Sequence, residues 1–180
     1  MSTIIKDKLS RVINFFESLD NSNKESEKSL VWDTEKGIFG TSDLNILKKF
    51  FEKIGLEKTD YFVDLGSGDG RVCILASLFS KAVGIEFDKD LFEDSLKNAD
   101  ILGISDVEFI NSDYESFDFS KASIIFSYAD HFFSKEFINK LKKDFHGVFY
   151  VYQGVFTPEG LTKGPTIWID GIPIISYYFD

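Results

Sequence analysis

The first third of the chain combines helical periodicity with polar segments. Apolar side chains recur at intervals of four and three residues, which predicts one helix over residues 4–19. Residues 20–29 are polar and charged without a large apolar side chain, so they predict a linker or a mobile loop. A second helix is predicted to begin after a cap within residues 41–43 and to end near residue 54.

From residue 61 onwards, short apolar runs alternate with stretches of helical periodicity. The runs predict strands at residues 61–65, 82–85, 107–110, 122–126 and 148–153. Helices are predicted between them at residues 72–79, 91–102 and 137–141. The tail holds two β-rich runs joined at Asp170-Gly171, a strong hairpin signal. Strands that alternate with helices, followed by a hairpin, predict an α/β domain with a mostly parallel sheet.

Composition places the chain among globular proteins and excludes several classes of partner. Its 180 residues suit one domain, and 43% of them are hydrophobic. The 20 basic and 30 acidic residues give a net charge of −10, which disfavours nucleic acid, because phosphate binders usually carry a basic stripe. The single cysteine, Cys73, lies in an apolar run and is predicted to be a buried thiol. With no signal-like pattern and no bilayer-length apolar stretch, a cytoplasmic location without membrane contact is expected.

A glycine-rich segment, YFVDLGSGDGRV, follows the first predicted strand of the sheet. Its glycines allow a tight turn with positive φ and a close approach of the backbone to a ligand; they are Gly66, Gly68 and Gly70. Dinucleotide-binding enzymes have G-x-G-x-x-G, but Arg71 stands in place of the third glycine, where an arginine would fit poorly between helix and strand. Asp64 and Asp69 flank the loop, which favours a cationic or zwitterionic ligand over a diphosphate.

A carboxylate at the end of the second predicted strand adds to this pattern. Glu86 lies 20 residues after Gly66, where an acidic side chain can accept hydrogen bonds from both ribose hydroxyls. An adenosine that carries an amino-acid part and a sulfonium matches both the acidic loop and this carboxylate, and that ligand is S-adenosylmethionine. A structural turn in another α/β fold stays open as an alternative, and a nicotinamide oxidoreductase is a more remote one.

With these residues the chain resembles the class I, or seven-strand, S-adenosylmethionine-dependent methyltransferases. VDLGSGDG is similar to the first motif of that family, GIEFD to the second, FINSDYESF to the third and ASIIFSYAD to the fourth. The resemblance extends from about residue 37 to the C-terminus. It implies a Rossmann-like, mostly parallel sheet of seven strands with helices on both faces. The antiparallel seventh strand, from the C-terminal hairpin, would lie between strands five and six.

The resemblance also implies a role for each matching residue in binding S-adenosylmethionine. The residues implied for its methionine part and sulfonium are Asp64, Gly66, Ser67, Gly68 and Asp69. Glu86 would hold the ribose and Phe87 would pack on the adenine. Asp113 would bind the adenine amino group with Tyr114 alongside, although a helix cap is an equal alternative for Asp113, and Ser127 would lie beside the reacting methyl.

The segments before the sheet are predicted to form an appendage and a lid. Residues 1–42 would hold the N-terminal helix, the linker and a lid, and residues 43–180 the methyltransferase domain. Trp32 and Phe39 would cover the adenosyl group from the lid, while the N-terminal helix would pack over the domain and not on a membrane. A further group of aromatic residues is predicted to be core, namely Phe132, Phe133, Phe137, Phe145, Phe149 and Tyr150.

The acceptor is predicted from the segment after strand four. Tyr128 and Asp130 are placed to orient an acceptor, whereas His131 is interpreted as a surface residue, and no metal site is supported. The sequence S-Y-A-D lacks the [DN]-P-P-[YF] signature of enzymes that methylate bases or glutamine amides. The string DLGSGDGR is similar to small protein-lysine methyltransferases of the seven-strand class. Methylation of a protein amine is therefore one hypothesis, a small-molecule acceptor a second, and a non-catalytic binder of S-adenosylmethionine or a nucleotide a third.

Overall fold

The computed structural model describes residues 3–25, 31–34 and 37–179. The α-helices are α1 (Thr3–Glu25), α2 (Leu44–Ile54), α3 (Arg71–Ala76), α4 (Lys89–Leu102) and α5 (Lys135–Asp144). Short 3-10 helices span Leu56–Lys58 and Tyr114–Ser116. The strands are β1 (Val31–Thr34), β2 (Gly37–Gly40), β3 (Tyr61–Leu65), β4 (Lys81–Glu86), β5 (Val107–Asn111), β6 (Ile124–Ser127), β7 (Val148–Tyr152), β8 (Thr162–Ile169) and β9 (Ile172–Tyr178). Within the described residues, no helix is both long and apolar enough to cross a membrane.

Seven strands form one mixed sheet in the order β5-β4-β3-β6-β7-β9-β8. The five strands from β3 to β7 run parallel to one another, and β9 is antiparallel to both β7 and β8. The predicted α/β fold is confirmed, including the final strand between the fifth and sixth strands of the sheet. Because β6 lies beside β3 while β4 lies on the other side, ligand-binding loops are expected where the order reverses.

The hairpin that supplies β9 turns at the predicted dipeptide. Asp170 has φ of 49° and Gly171 has φ of 84°. Positive φ at both central residues is what a type I′ turn requires, and Asp-Gly is one of the pairs that tolerate it. β8, the outer strand, carries Pro165 and an irregular register between Lys163 and Thr166. A proline and a bulge are features that protect a sheet edge from pairing with another chain.

The core is divided by the sheet into two apolar clusters. One cluster joins α1, α2 and α3 to the sheet, with Phe16, Phe50 and Phe62 fully buried. The other surrounds α5, with Phe119 and Phe149 fully buried. Of the six aromatic residues predicted to be core, five are buried or half-buried. Phe132 is the exception, because it lies in the loop after β6 and is 65% exposed.

The prediction of a linker over residues 20–29 is wrong for its first part. Helix α1 continues through Glu25, and residues 26–30 lie outside the described part of the chain. The polar residues remain helical because none of residues 20–25 is glycine or proline, and because Asp20 is held by Arg71 in the domain. Helix α2 begins where predicted, since the Asp43 carboxylate accepts hydrogen bonds from the backbone N–H groups of Asn45 and Ile46.

The segment predicted to be a lid forms an antiparallel pair, β1 and β2, in its backbone. The side chains of residues 31–39, with Trp32 and Phe39, lie outside the described part of the chain. The end of the segment is described, and Gly40 and Ser42 line the cavity at the carboxyl end of the sheet. The covering of an adenosyl group by this segment stays a prediction.

Candidate active site

One cavity opens at the carboxyl ends of β3, β4 and β6, where the strand order reverses. All ten residues predicted to bind the cofactor line this cavity, and so do Tyr128 and Asp130. Its acidic lining residues are Asp64, Asp69, Glu86, Asp88, Asp113, Glu115 and Asp130. The arginine in its wall, Arg71, is already paired with carboxylates. The cavity therefore presents excess negative charge to a ligand.

The glycine loop follows β3 with three residues in the left-handed region. Gly66, Gly68 and Gly70 have φ of 71°, 55° and 81°. A Cβ added to Gly66 would meet no atom of the described residues within 4 Å, so the backbone there faces open space. A Cβ on Gly70 would lie 2.7 Å from side-chain atoms of both Phe109 and Ser95. The first glycine thus leaves room for a ligand, and the third permits close packing inside the protein.

Glu86 ties the end of β4 to the glycine loop. One carboxylate oxygen, Oε2, accepts from the Gly68 N–H at 2.8 Å, and the other, Oε1, accepts from the Asp88 N–H at 2.8 Å. Burial raises the pKa of Glu86, and these two backbone hydrogen bonds oppose the rise. Each oxygen retains a second lone pair, so the carboxylate can still accept hydrogen bonds from a diol.

Asp64 lines the cavity and is buried. It lies next to Cys73, whose thiol is buried as predicted. The Cys73 Sγ is 3.8 Å from an oxygen of the Asp64 carboxyl. Burial, and then repulsion by Glu86, hold the pKa of Asp64 well above its usual range. Burial also raises the pKa of the Cys73 thiol, so the thiol stays protonated and donates to the carboxyl.

Asp69 is not an isolated carboxylate in the loop. The Arg71 Nε donates to both of its oxygens at 3.0 Å, and the Arg71 Nη2 donates to Oδ2 at 2.7 Å. Its backbone carbonyl accepts from the Asn98 side chain at 3.0 Å. The arginine that was expected to fit poorly is accommodated because carboxylates on both sides satisfy its buried guanidinium.

The loop after β5 forms a second wall of the cavity. The Asp113 carboxylate accepts from the Glu115 N–H at 3.0 Å, which caps the short helix Tyr114–Ser116. Burial raises the pKa of Tyr114 to about 12, with further contributions from Glu115 and Asp113. Phe87, after β4, lines the cavity while remaining partly exposed. Asp113 therefore caps the short helix, which was the alternative interpretation of this residue, and it also lines the cavity.

The loop after β6 forms the third wall. The Ser127 Oγ donates to the Leu65 carbonyl at 3.4 Å, and the Tyr128 hydroxyl donates to the Gln153 Oε1 at 3.0 Å. The Asp130 carboxylate lies 2.5 Å from the Nδ1 of His131. The other ring nitrogen of His131, Nε2, lies 3.3 Å from the Tyr114 hydroxyl, so this contact joins the loop after β6 to the loop after β5.

Two residues that sequence reasoning did not select belong to this wall. His131 lines the cavity between Asp130 and Tyr114. Its position next to Asp130 in the sequence is the signal that could have identified it. Gln153 holds the Tyr128 hydroxyl and has φ of 60°, which few residues other than glycine adopt. No sequence motif marks Gln153, because its role depends on β7 lying beside β6.

The residues present fit S-adenosylmethionine as a ligand. The ligand carries a sulfonium and an ammonium, and the cavity concentrates carboxylates around a loop whose backbone faces open space at Gly66. The Ser67 Oγ is buried without a hydrogen-bond partner among the described residues, and it packs where a side chain on Gly84 would otherwise lie. No group of three or more histidine, cysteine or acidic residues suited to a metal ion occurs in residues 3–25, 31–34 and 37–179.

The sheet order, the glycine loop and the carboxylate after the second parallel strand together define a class I S-adenosylmethionine-dependent methyltransferase. The sequence model of the family described as histone methylation protein DOT1 matches residues 32–159. The chain belongs to this family. S-adenosylmethionine is therefore its methyl donor, and the chain is an enzyme. Among curated proteins, none matches the sequence.

Solved structures with the same fold support this class. An RNA methyltransferase from Salinibacter ruber, in complex with S-adenosyl-L-homocysteine, is 25% identical with a TM-score of 0.63, over 77% of this chain and 93% of that one. A SAM-dependent methyltransferase from Aquifex aeolicus is 15% identical with a TM-score of 0.57, over 73% and 88%. The 16S rRNA N2 G1207 methyltransferase RsmC of T. thermophilus, with AdoMet and guanosine, is 16% identical with a TM-score of 0.60, over 83% and 45%.

Proposed function

We propose that the protein methylates an amine of a protein, namely a lysine side chain. The observation that carries this proposal is the acidic lining of the cavity on the side of the loop after β6, the loop that supplies both Tyr128 and Asp130. A cationic amine is attracted to such a wall, whereas the phosphates of a nucleic acid are repelled by it. The family description, histone methylation, gives independent support for a protein acceptor.

The cofactor, placed in this cavity, contacts the glycine loop with Glu86, the loop after β5 and the loop after β6. Its methionine part and sulfonium are bound by Asp64, Gly66, Ser67, Gly68 and Asp69, with Ser127 next to the methyl group. Glu86 accepts hydrogen bonds from the ribose hydroxyls. The adenine lies between Phe87 and the segment that contains Asp113 and Tyr114.

The reaction is a displacement in which the cofactor supplies a methyl group made electrophilic by its sulfonium. The amine nitrogen forms the new bond to carbon, and the electron pair of the broken carbon–sulfur bond stays on sulfur. The Tyr128 hydroxyl donates a hydrogen bond to Gln153. Its oxygen can therefore accept a hydrogen bond from the amine and fix the direction of attack. Asp130, which is partly open to water, accepts from the ammonium, and the proton leaves to solvent from that edge.

An exposed aromatic surface beside the cavity also favours a macromolecular acceptor. Phe132 follows His131 in the loop after β6 and packs edge-on against Phe156 from the loop after β7, with ring centroids 5.1 Å apart. Phe132 is mostly exposed, as is the neighbouring Val155. Aromatic residues at a protein surface are enriched in protein interfaces, so this rim is suited to the chain that carries the target lysine.

RNA is the second candidate acceptor, because the Salinibacter ruber enzyme, which is 25% identical, is an RNA methyltransferase. The two acceptors are distinguished by incubating the enzyme with S-adenosylmethionine labelled on its methyl group. Purified histones, total RNA and a mixture of small amines are offered in parallel. We expect label in histone lysines, identified by mass spectrometry of the digested protein.

Label in RNA alone, or in the small amines alone, would overturn the protein acceptor. Transfer to none of the three acceptor preparations would equally count against a histone lysine as the acceptor. In the active case, Tyr128→Phe is expected to lower kcat about tenfold or more, because only the hydroxyl is lost from a ring that stays packed on Tyr152. Tyr178→Phe, on an exposed part of β9, is the matched control and should leave kcat unchanged.

The cofactor assignment is tested by calorimetric titration with S-adenosylmethionine. Glu86→Ala should weaken binding by about 1.5–3 kcal/mol, the range for hydrogen bonds to a charged group. Glu93→Ala removes an acidic residue of α4 that pairs with Lys89 at the surface, and it should leave the affinity unchanged. Equal affinities of the two variants for S-adenosylmethionine would show that Glu86 does not bind the ribose.

A further inference from the structure

Arg71 joins the N-terminal helix to the glycine loop. Its side chain is only 5% exposed, and its Nη1 and Nη2 donate to the two Asp20 oxygens at 3.0 and 2.8 Å. Its Nε and Nη2 donate to Asp69, so the two carboxylates engage four of its five N–H groups. The ring of Phe16, also on α1, lies 4.9 Å from the guanidinium carbon.

We propose that Asp20 is a positioning residue for the cofactor, which keeps Asp69 electrostatically available to it. One positive charge between two negative charges leaves a net charge of −1 in the group of Asp20, Arg71 and Asp69. Without Asp20, Arg71 and Asp69 would neutralise one another, and the wall of the cavity would lose that charge. Asp20 lies before the matched family region of residues 32–159, so α1 adds this charge from outside that region.

The two ligands of the site differ by one unit of charge. S-adenosylmethionine has a sulfonium, an ammonium and a carboxylate, with a net charge of +1, whereas the product S-adenosylhomocysteine lacks the sulfonium charge and is neutral overall. A negative group in a poorly solvated wall attracts the first more than the second. Asp20 therefore helps the site to prefer the fresh cofactor over the spent product. The effect concerns the cofactor alone and is independent of which acceptor is methylated.

The test is the ratio of two dissociation constants, measured by calorimetry on the full chain. Asp20→Asn keeps the shape of the side chain and removes its charge. We expect its Kd for S-adenosylmethionine to rise on the order of tenfold, with a much smaller change for S-adenosylhomocysteine. Glu17→Gln is the matched control, because Glu17 lies one turn earlier on α1 and accepts its hydrogen bond from the side chain of Asn45 on α2 and not from Arg71. It should change neither constant.

A purely structural role for Asp20 predicts a different result. Loss of the α1 contact would weaken both ligands by the same factor, and the ratio of the two constants would stay as in the wild type. That outcome, or no change in either constant, would overturn the proposal. Asp20→Glu retains the charge and should restore the wild-type ratio, and thermal unfolding of each variant establishes that the proteins compared are folded.

Discussion

At the scale of single residues, Gly70 is a position of the glycine loop where the backbone and the packing both exclude a side chain. Its φ of 81° disfavours any other residue, and an added Cβ would lie 2.7 Å from Phe109 and Ser95. Gly70→Ala is expected to lower the free energy of unfolding by about 2–4 kcal/mol. Gly103→Ala is the control, since Gly103 has φ of 63° and open space around it, and should cost about 1 kcal/mol.

Denaturant unfolding measures both glycine variants. Equal losses would show that conformation alone, and not the contact with β5 and α4, makes Gly70 necessary.

The buried carboxyls of the cavity predict opposite effects of pH on stability and on cofactor binding. Burial raises the pKa of Asp64 and of Glu86 in the folded protein. The folded state therefore binds these protons more tightly than the unfolded chain. As pH falls from above the raised pKa values towards the ordinary range near pH 4, the ligand-free protein gains stability from these groups. The same protonation removes the charge that Glu86 offers to the ribose, so cofactor affinity should fall.

Thermal unfolding and calorimetry between about pH 8 and pH 5 check this prediction. Asp64→Asn should remove much of the rise in stability, because the group that takes up the proton is gone. A wild-type protein that loses stability over the same interval would contradict it.

Residues differ in how far the sequence reveals their roles. The glycine loop and Glu86 are local, because motif spacing alone brings them to the ends of adjacent strands. The Asp20–Arg71 contact spans 51 positions and the Tyr128–Gln153 contact spans 25, and neither follows from a local pattern. The burial of Arg71 is likewise not deducible from the sequence. It is tolerable because Asp20 pairs with the guanidinium, and Asp20 lies just beyond residue 19, where the helix was predicted to end.

At the scale of elements, α1 is part of the core. Phe16 is fully buried, whereas its neighbour Phe15 is half-buried and packs against the ring of Phe16. Phe16→Ala is expected to lower the free energy of unfolding by about 3–5 kcal/mol, and Phe15→Ala by about 1 kcal/mol. Unfolding by denaturant should show one transition for each variant. An unchanged main transition in Phe16→Ala would mean that α1 unfolds separately from the sheet.

The type of each long element was predictable, whereas several element ends were not. Helix α2 and the final hairpin carry explicit signals, Asp43 as a cap and Asp170-Gly171 as a turn, and both fold as predicted. Helix α1 is longer than predicted and α3 is shorter than the predicted helix 72–79. Apolar periodicity marks only the part of a helix that is buried on one side, so it missed the polar end of α1 and could not locate where α3 stops.

At the scale of the whole molecule, the net charge of −10 should accelerate encounter with a basic protein acceptor. If the acceptor is a lysine-rich protein, kcat/KM for that protein is expected to fall about tenfold between about 50 and 500 mM salt. The Kd for S-adenosylmethionine should change less, because the three carboxylates nearest the glycine loop, Asp64, Asp69 and Glu86, are buried. Initial rates and calorimetry over the same salt series measure the two effects. A rate that does not respond to salt would contradict electrostatic attraction of the acceptor.

The position of β9 also constrains the order in which the last strands can join the sheet during folding. Within the described sheet, β8 lies at the edge and pairs with β9 alone, so β8 cannot join the sheet before β9 docks against β7. The Asp170-Gly171 turn closes the β8–β9 pair locally, and such hairpins form in about 1–10 μs. Docking against β7 requires closure of a longer loop and is slower. We therefore expect the hairpin to enter the sheet as one preformed piece, and its arrival to complete the half of the sheet that follows the strand-order reversal.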